Sequence, residues 1–595
     1  MRTITTGSPL SPLWLVGEAP GANEEAAGRP FIGPAGYLLD GCLAEAGIQR
    51  NECYLTNVCH ERPPSYVNKK GKTVVNDIEQ FFVSATAARK RGGDTVAVNG
   101  RHALPPVARG LDCLKDQIAQ YHPRVVVLLG NTPLWGLAGE TGITKWRGSV
   151  LRFAASSGPP TILVAAFHPA DCLPNRSPQH RSLLVHDLER ARRLLMYPEF
   201  VDPPRWDFTI PTTIEEIAEW IRNSAGGKLA CDIETRWNQI ACLGLASTTS
   251  RAMCIPFLTA QTTQYGHSYW NFETEFSVLK LLGEVLVERP LIFHNGIYDC
   301  QYIAARWGFM PNHADDTMVM QHVAFPGFLG GKINPVTGRV DKRGSSLSLS
   351  FISSLYCRHH RFWKDDGRQW DPAIHDERRF WNYNMEDCCR TLECASVLED
   401  ILAKAKLTTQ YRFIMRTHEP VYKMMFRGFR VDRDAMLRMH SACGDGMDSD
   451  RRWLAAVTRN PELNPASSQQ ISNLFYRDLQ QTPIYKGRGD DRKLTCDDDA
   501  LAKITRRTPL LRPLCERLSH FRSMEMVRKD CDPQMLSEDG RLRTNLNPAY
   551  VETFRLSSNE TAFGEGTNVQ NLKRADRDLV EAWDTYITEK PSQCA

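Results

Sequence analysis

The 595-residue chain has no run approaching the ~20 apolar residues that a membrane helix needs. Its first residues, MRTITTGSPLSPLWLVGE, carry no long apolar stretch of a secretion signal. The 18 cysteines are scattered, with no CxxC pair and no Cys/His group at zinc-finger spacing. These absences predict reduced, mostly buried thiols, a cytoplasmic location and no membrane partner. A dominant charge is missing too: 73 Lys+Arg against 69 Asp+Glu leave +4. That is too little to argue for nucleic-acid binding, so any basic surface has to be local. Repeats and low-complexity tracts are lacking as well. What remains is an ordinary globular composition, 42% hydrophobic and 24% charged. At ~100–200 residues per domain, the length predicts three or four domains.

Three parts emerge along the chain, 1–199, 200–405 and 406–595. In the first, Leu13–Val16, Arg124–Leu129 and Thr161–Phe167 are short apolar runs, and helical periodicity follows over Ser182–Leu195. That alternation predicts a parallel α/β sheet with ligand residues at strand ends. Residues 65–107 break the pattern and read as an inserted loop. Tyr197–Thr213 carries four prolines and reads as a linker, after which Thr213 caps a helix with glutamates in its first turn. A second α/β segment runs to about Ala405, interrupted by a Gly-, Pro- and charge-rich stretch, 326–348, that reads as a mobile loop. From Leu407 to Met535 the pattern is mainly helical, and a loop-rich end follows.

Hydrolysing a phosphodiester requires an activated water and a stabilised leaving oxygen, which two divalent ions held by carboxylates supply. Such hard ions prefer oxygen ligands. Asp232 and Glu234 end an apolar run, and strand alternation puts both on one face. Asn295 and Asp299 stand four apart where a strand enters a helix, and share a face if the helix starts there. Tyr383 and Asp387 repeat that spacing on a helical stretch. In order and character these resemble the D-x-E, N-x3-D and Y-x3-D motifs of the DnaQ-like exonuclease family. The resemblance implies an RNase H-like α/β domain that removes nucleotides from DNA 3′ ends. Asp232, Glu234, Asp299 and Asp387 would hold two Mg²⁺ or Mn²⁺ ions, and Tyr383 would orient the water. Asn295 and Asp316 would lie beside the substrate.

Beyond residue 405, Glu419-Pro420, Gly428-Phe-Arg-Val-Asp432 and Asn464-Pro-Ala-Ser467-Ser-Gln-Gln470 resemble phrases of the thumb of family A DNA polymerases, including those of phages. Thr553-Phe-Arg555-Leu-Ser557-Ser558 and Gly566-Thr-Asn568-Val-Gln570-Asn571 resemble the region where thumb meets palm. By that resemblance Arg555, Asn568, Gln570 and Asn571 contact the primer–template, positioning DNA without reading sequence. The family's fingers helix and metal-binding palm aspartates find no match before the end Ala575–Trp583 and KPSQCA. The expectation is a chain that does not polymerise alone, its palm and fingers either carried by a separate partner chain or lost to an interruption of the coding region.

The first part carries Gly17-Glu18-Ala-Pro-Gly21, Gly28-Arg-Pro-Phe31-Ile-Gly33-Pro-Ala-Gly36, Tyr54-Leu-Thr-Asn57, Leu128-Leu-Gly-Asn131 and Phe167-His168-Pro169. This series resembles the uracil-DNA glycosylase superfamily, most closely its family 4 type. A flipped base needs an aromatic face, an amide on its Watson–Crick edge and stabilisation of the departing anion. The resemblance assigns these to Phe31, Asn57 and His168, with Glu18 orienting water. Family 4 carries a four-cysteine iron–sulfur cluster. Its first cysteines have no counterpart here, and Cys59 and Cys113 are out of step, so no cluster is expected. An active glycosylase and a DNA-binding remnant both stand open.

Together these predict an α/β protein: a glycosylase-like parallel-sheet domain, an exonuclease domain, and a mainly helical thumb with the start of a palm. The function expected is proofreading in DNA replication, in a viral protein acting in the cytoplasm of a bacterial host. A free-standing repair nuclease–glycosylase and a non-catalytic DNA-binding scaffold are the alternatives.

Overall fold

The computed structural model describes residues 4–67, 73–91, 95–154, 156, 158–197, 202–224, 226–259, 267–326, 347–371, 374–487, 492–549, 551 and 553–571. All but the edges of the expected 326–348 loop, and the polar end from Ala575 onward, lie outside the described residues. The backbone gathers into two compact units, one through Tyr411 and one from Arg412 onward.

Two large sheets dominate the first unit. One has five strands in the order Cys53–Asn57, Leu13–Gly17, Val125–Leu129, Thr161–Ala166, Val150–Phe153. It is parallel except for its last, antiparallel edge strand. All of Val125–Leu129 is buried, as both faces of a parallel sheet require. Leucines of the helices Pro34–Glu45 and His180–Met196 share its core. Residues 66–103 are not a plain loop. They form a hairpin, Tyr66–Val67 with Thr73–Val74, and a small antiparallel sheet of Phe82–Val83, Arg101–Ala103 and Val96–Val98. Strands of two or three residues are too short for hydrophobic alternation to register in sequence.

The second sheet has six strands, ordered Asp207–Thr209, Arg251–Pro256, Gln239–Ala246, Leu229–Arg236, Leu291–Phe293, His313–Asp316. Gln239–Ala246 runs antiparallel to both neighbours, and the remaining pairs are parallel. The helix Glu377–Lys404 packs on the central strands. It comes close because Gly244 has no side chain: a Cβ there would lie 2.3 Å from Asn384 Oδ1. Thr213 caps Ile214–Asn223 as expected, its hydroxyl accepting from the Glu216 N–H.

The first sheet's layer meets the helix Leu349–Tyr356 and the segment after it along a seam, where Phe351, Leu355 and Phe362 join its core and polar groups pair. Val150 N–H, on the edge of the first, donates to His360 O at 2.7 Å. Arg147 is buried between Asp187, with which it pairs through two N–H groups, and Ser354 Oγ at 2.7 Å. Arg190 donates to Ser354 O at 2.7 Å.

The second unit is mainly helical. Arg433–Thr458 and Arg512–Asp530 pack along each other, and Leu454, Ile471, Phe475, Leu501 and Leu518 fill one core. Phe429–Arg430 pairs with Arg541–Leu542, and Asn545–Asn547 with Ser557–Asn559. Among the described residues no helix is long and apolar enough to cross a membrane.

Candidate functional sites

A cavity of about 600 Å³ opens at the strand ends of the first sheet, lined by Glu18, Phe31, Asn57, Asn131, His168 and Arg176 among others. Leu13–Gly17 and Cys53–Asn57 are paired so that Gly17 faces Asn57. A Cβ on Gly17 would lie 2.4 Å from Asn57 Oδ1 and 2.6 Å from the Phe31 ring, so glycine lets amide and aromatic converge. Phe31 itself has φ +55°, a left-handed backbone that is costly for a bulky residue and is held by its surroundings. Arg50 supplies that hold, donating to Pro30 O and Phe31 O at 3.1 and 3.0 Å. The Phe31 and His168 rings stand 6.1 Å apart. His168 Nδ1 accepts from the Ala170 N–H at 3.1 Å. A neutral ring so held carries its proton on Nε2, free to donate. Glu18 Oε1 accepts from the Thr132 N–H at 3.1 Å. Val75, Asn76 and Glu79, from the small antiparallel insert, line another wall.

Cys59 is buried, its thiol donating to Glu61 O and pushed up to about 12 by burial. Among the described residues no three metal-ligating side chains of this domain converge.

The second site lies on the six-stranded sheet. Asp232 and Glu234 project from Leu229–Arg236, and Asp387 from Glu377–Lys404. One oxygen from each lies within 4.8 Å of the others. Asp299, in the first turn of Ile297–Trp307, accepts from the Ile233 N–H at 3.0 Å, tying its helix to the strand between the two carboxylates. Burial, then the neighbouring carboxylates, hold Asp232 well above its ordinary range and lift Glu234 to about 8. Burial lifts Asp299 to about 7 against the N–H groups that bond it. Four carboxyls crowded together, Asp299 and Asp387 buried and Asp232 and Glu234 half-buried, are costly without a cation.

A cation is in fact present. Lys364 Nζ pairs with Asp387 Oδ2 and donates to the Tyr383 hydroxyl at 3.1 Å. Burial disfavours its charge, but Asp387 and Asp232 outweigh burial and raise its pKa. Trp363 Nε1 donates to Asp387 Oδ1 at 2.6 Å. Asn384 Nδ2 donates to Asp232 Oδ2 at 2.9 Å. The Tyr383 phenol, its pKa raised far by burial and by Asp387 and Glu234, keeps its proton. An all-carboxylate, oxygen-rich donor set around a stand-in ammonium fits a hard divalent ion.

The expected helix face shared by Asn295 and Asp299 does not form. The helix begins at Ile297, and Asn295 precedes it with φ +62°. Gly296, the next residue, is what lets this turn pack: a Cβ there would lie 2.5 Å from the Phe293 side chain. Asp316 is buried and turned to backbone. It accepts from the N–H groups of Asn295, Gly296 and Met318, so it holds the turn that delivers Asp299.

In the helical unit, Asn464-Pro-Ala-Ser467 is a cap: Ser467 Oγ accepts from the Gln470 N–H, and Gln470 Oε1 from the Asn464 N–H. Gly566 has φ +76° and abuts Arg543 O. Asn568 Oδ1 accepts from the Gln570 N–H, and Gln570 Nε2 donates to Leu556 O. Arg555 is exposed beside this knot. Asn571 ends the short helix Val569–Asn571.

The profile of the uracil DNA glycosylase superfamily matches residues 4–189. The type-4 uracil-DNA glycosylase of Thermotoga maritima is 31% identical over 183 residues, covering 30% of this chain and 76% of that enzyme. That of Sulfurisphaera tokodaii is 29% identical over 201 residues, 32% of this chain and 74% of that enzyme. A DNA polymerase of Bacillus phage SP01 is 22% identical over 354 residues, covering 54% of this chain and 33% of the polymerase. The chain thus spans a third of that polymerase's length.

Proposed function

Since the chain belongs, through its first domain, to the uracil-DNA glycosylase superfamily and is related to DNA polymerases, we propose that it processes DNA at two sites, one for a flipped base and one for a 3′ end. The observation that carries the second is the convergence of half-buried Asp232 and Glu234 with buried Asp387, and Lys364 among them. Asp232, Glu234, Asp299 and Asp387 would hold two Mg²⁺ or Mn²⁺ ions. When bound, such ions polarise the phosphodiester, favour hydroxide over water and stabilise the leaving 3′ oxygen. The chain's own groups do the positioning. Tyr383, a protonated phenol beside Asp387, would orient a water or phosphate oxygen with its O–H. Asn384 fixes the Asp232 carboxylate, and Asp299 fixes the strand that carries it.

In the first site Phe31 offers an aromatic face, Asn57 an amide for the base edge, and His168 Nε2–H a donor for the oxygen of a departing uracil anion. Glu18, locked by Thr132, accepts from a water that would add to the sugar as the base leaves. DNA contacts of Arg555, Asn568, Gln570 and Asn571 belong to the same reading, as does proofreading in replication. The primer end would come from a polymerising palm and fingers carried by a separate chain.

The test uses 5′-labelled single-stranded DNA with Mg²⁺ or Mn²⁺, beside the Asp232→Ala variant. A ladder shortening from the 3′ end, lost in the variant and with EDTA, is expected. Equal degradation by the variant would place the nuclease elsewhere. For the first site, uracil release from single-stranded DNA should vanish in His168→Ala while the ladder is unchanged.

A further inference from the structure

Lys364 is not on the sheet or helix that carries the carboxylates. It belongs to a short segment, His359–Arg368, that crosses from the seam into the carboxylate site. On the seam side the segment is clasped by the glycosylase-like domain. His360 O accepts from the Val150 N–H at 2.7 Å. Phe362 N–H donates to Ser149 Oγ at 3.1 Å. The Phe362 ring packs 5.4 Å from that of Trp146. Lys145 pairs with Asp365, one residue past Lys364. On the site side, Trp363 and Lys364 occupy both oxygens of Asp387. Arg390 lies over the Trp363 ring at 4.4 Å and so backs the indole from behind.

A divalent ion bound by Asp387 needs at least one of those oxygens, and it cannot tolerate an ammonium in the same place. Like charges in contact repel, and one carboxylate oxygen cannot serve two cations at full strength. The lysine must leave when the ion arrives. Phe362, two residues before it, and Asp365, one after it, are bonded to the first domain, so its departure pulls on that clasp.

We propose that Lys364 is a built-in cation that competes with the divalent metal for Asp387, and that the clasp of the glycosylase-like domain on His359–Arg368 sets how tightly the exonuclease site takes its metal. This rests on the reading of the carboxylates as a metal site and adds a regulator to it. The metal-free protein keeps its acidic residues compensated by the lysine, and metal loading exchanges a monovalent for a divalent partner. Anything that loosens Lys145, Ser149 or Val150 in the first domain thereby favours metal in the second.

The experiment is Mn²⁺ titration of the full chain, followed by electron paramagnetic resonance of free Mn²⁺, for wild type, Lys364→Met, Lys145→Ala and Asp232→Ala. Methionine keeps the length and apolar contacts of the lysine stem but not its charge. Lys364→Met should bind Mn²⁺ at least tenfold more tightly than wild type. Lys145→Ala, a surface change that threatens folding little, should shift affinity the same way by a smaller factor. Equal affinity in wild type and both variants, with binding lost in Asp232→Ala, would overturn the competition and leave the metal site standing. Absence of binding in every protein would instead sink the metal site itself. Hydrogen exchange supplies an independent readout: the Phe362 amide, protected by Ser149, should exchange faster once Mn²⁺ is added to wild type. Unchanged protection would overturn the coupling to the clasp.

Discussion

Glu234 and Asp299 hold protons near neutrality, because burial and, for Glu234, neighbouring carboxylates penalise their charge. A carboxyl whose folded pKa is raised binds more protons folded than unfolded. Stability is therefore lost as pH rises from the ordinary carboxyl range toward about 7 to 8, and levels off above it. In EDTA the melting temperature of the first unit should fall between pH 5 and pH 8. With Mn²⁺ present that fall should shrink or reverse, since the ion binds the deprotonated form. A melting temperature that climbs over that range in EDTA would contradict the buried carboxylate cluster. Asn384 acts on the same site at one remove. Asn384→Ala frees the Asp232 carboxylate to turn, and partners that orient a metal ligand are typically worth about 10- to 100-fold in metal affinity or activity. Mn²⁺ titration and the 3′ ladder assay should both register that loss, without the complete loss expected of Asp232→Ala.

At the scale of elements, the glycine that ends the first strand shapes the cavity at the strand ends. Gly17→Ala drives a methyl into Asn57 and the Phe31 ring. Overpacking of this kind costs about 1–3 kcal/mol, and here it falls on the two side chains assigned to the base. Uracil release should disappear while nuclease activity persists; retention of both would mean that the cavity does not seat the base. The strand itself was legible in sequence, as was the β-branched Val125–Leu129, since a short apolar run stopped by glycine signals a buried strand. Asp232 and Glu234 were legible for a related reason, that alternation on one strand fixes their common face. Asn295 was misplaced because a left-handed residue ahead of Ile297 moves the helix start by two positions, and spacing alone does not reveal that. Lys364, Trp363, Asn384 and Arg50 were not seen at all. Each acts on a partner that only the fold brings near, as Asn384 does on Asp232 from 152 positions away, and no local pattern marks such a contact.

For the whole first unit the decisive feature is the seam, because it makes one body of two sheets that sequence patterning divides at a proline-rich linker. Arg147, 2% exposed, pairs there with a fully buried Asp187. Burial opposes ionisation of Asp187, but Arg147 and His186 outweigh it and hold its pKa below the ordinary value. The pair therefore contributes stability at neutral pH that is lost as pH falls through the acid range. Removing one partner of such a pair leaves an uncompensated buried charge, at a cost of about 3–5 kcal/mol. Ser354, across the seam, loses its guanidinium partner in the same step. Arg147→Ala should therefore do more than lower one melting temperature. Calorimetry of wild type should show the glycosylase-like and carboxylate-bearing sheets melting together, and the variant should split that transition in two, the carboxylate-bearing part alone responding to Mn²⁺. A variant that still melts in one step, merely earlier, would mean that the two sheets are held together by contacts other than this seam.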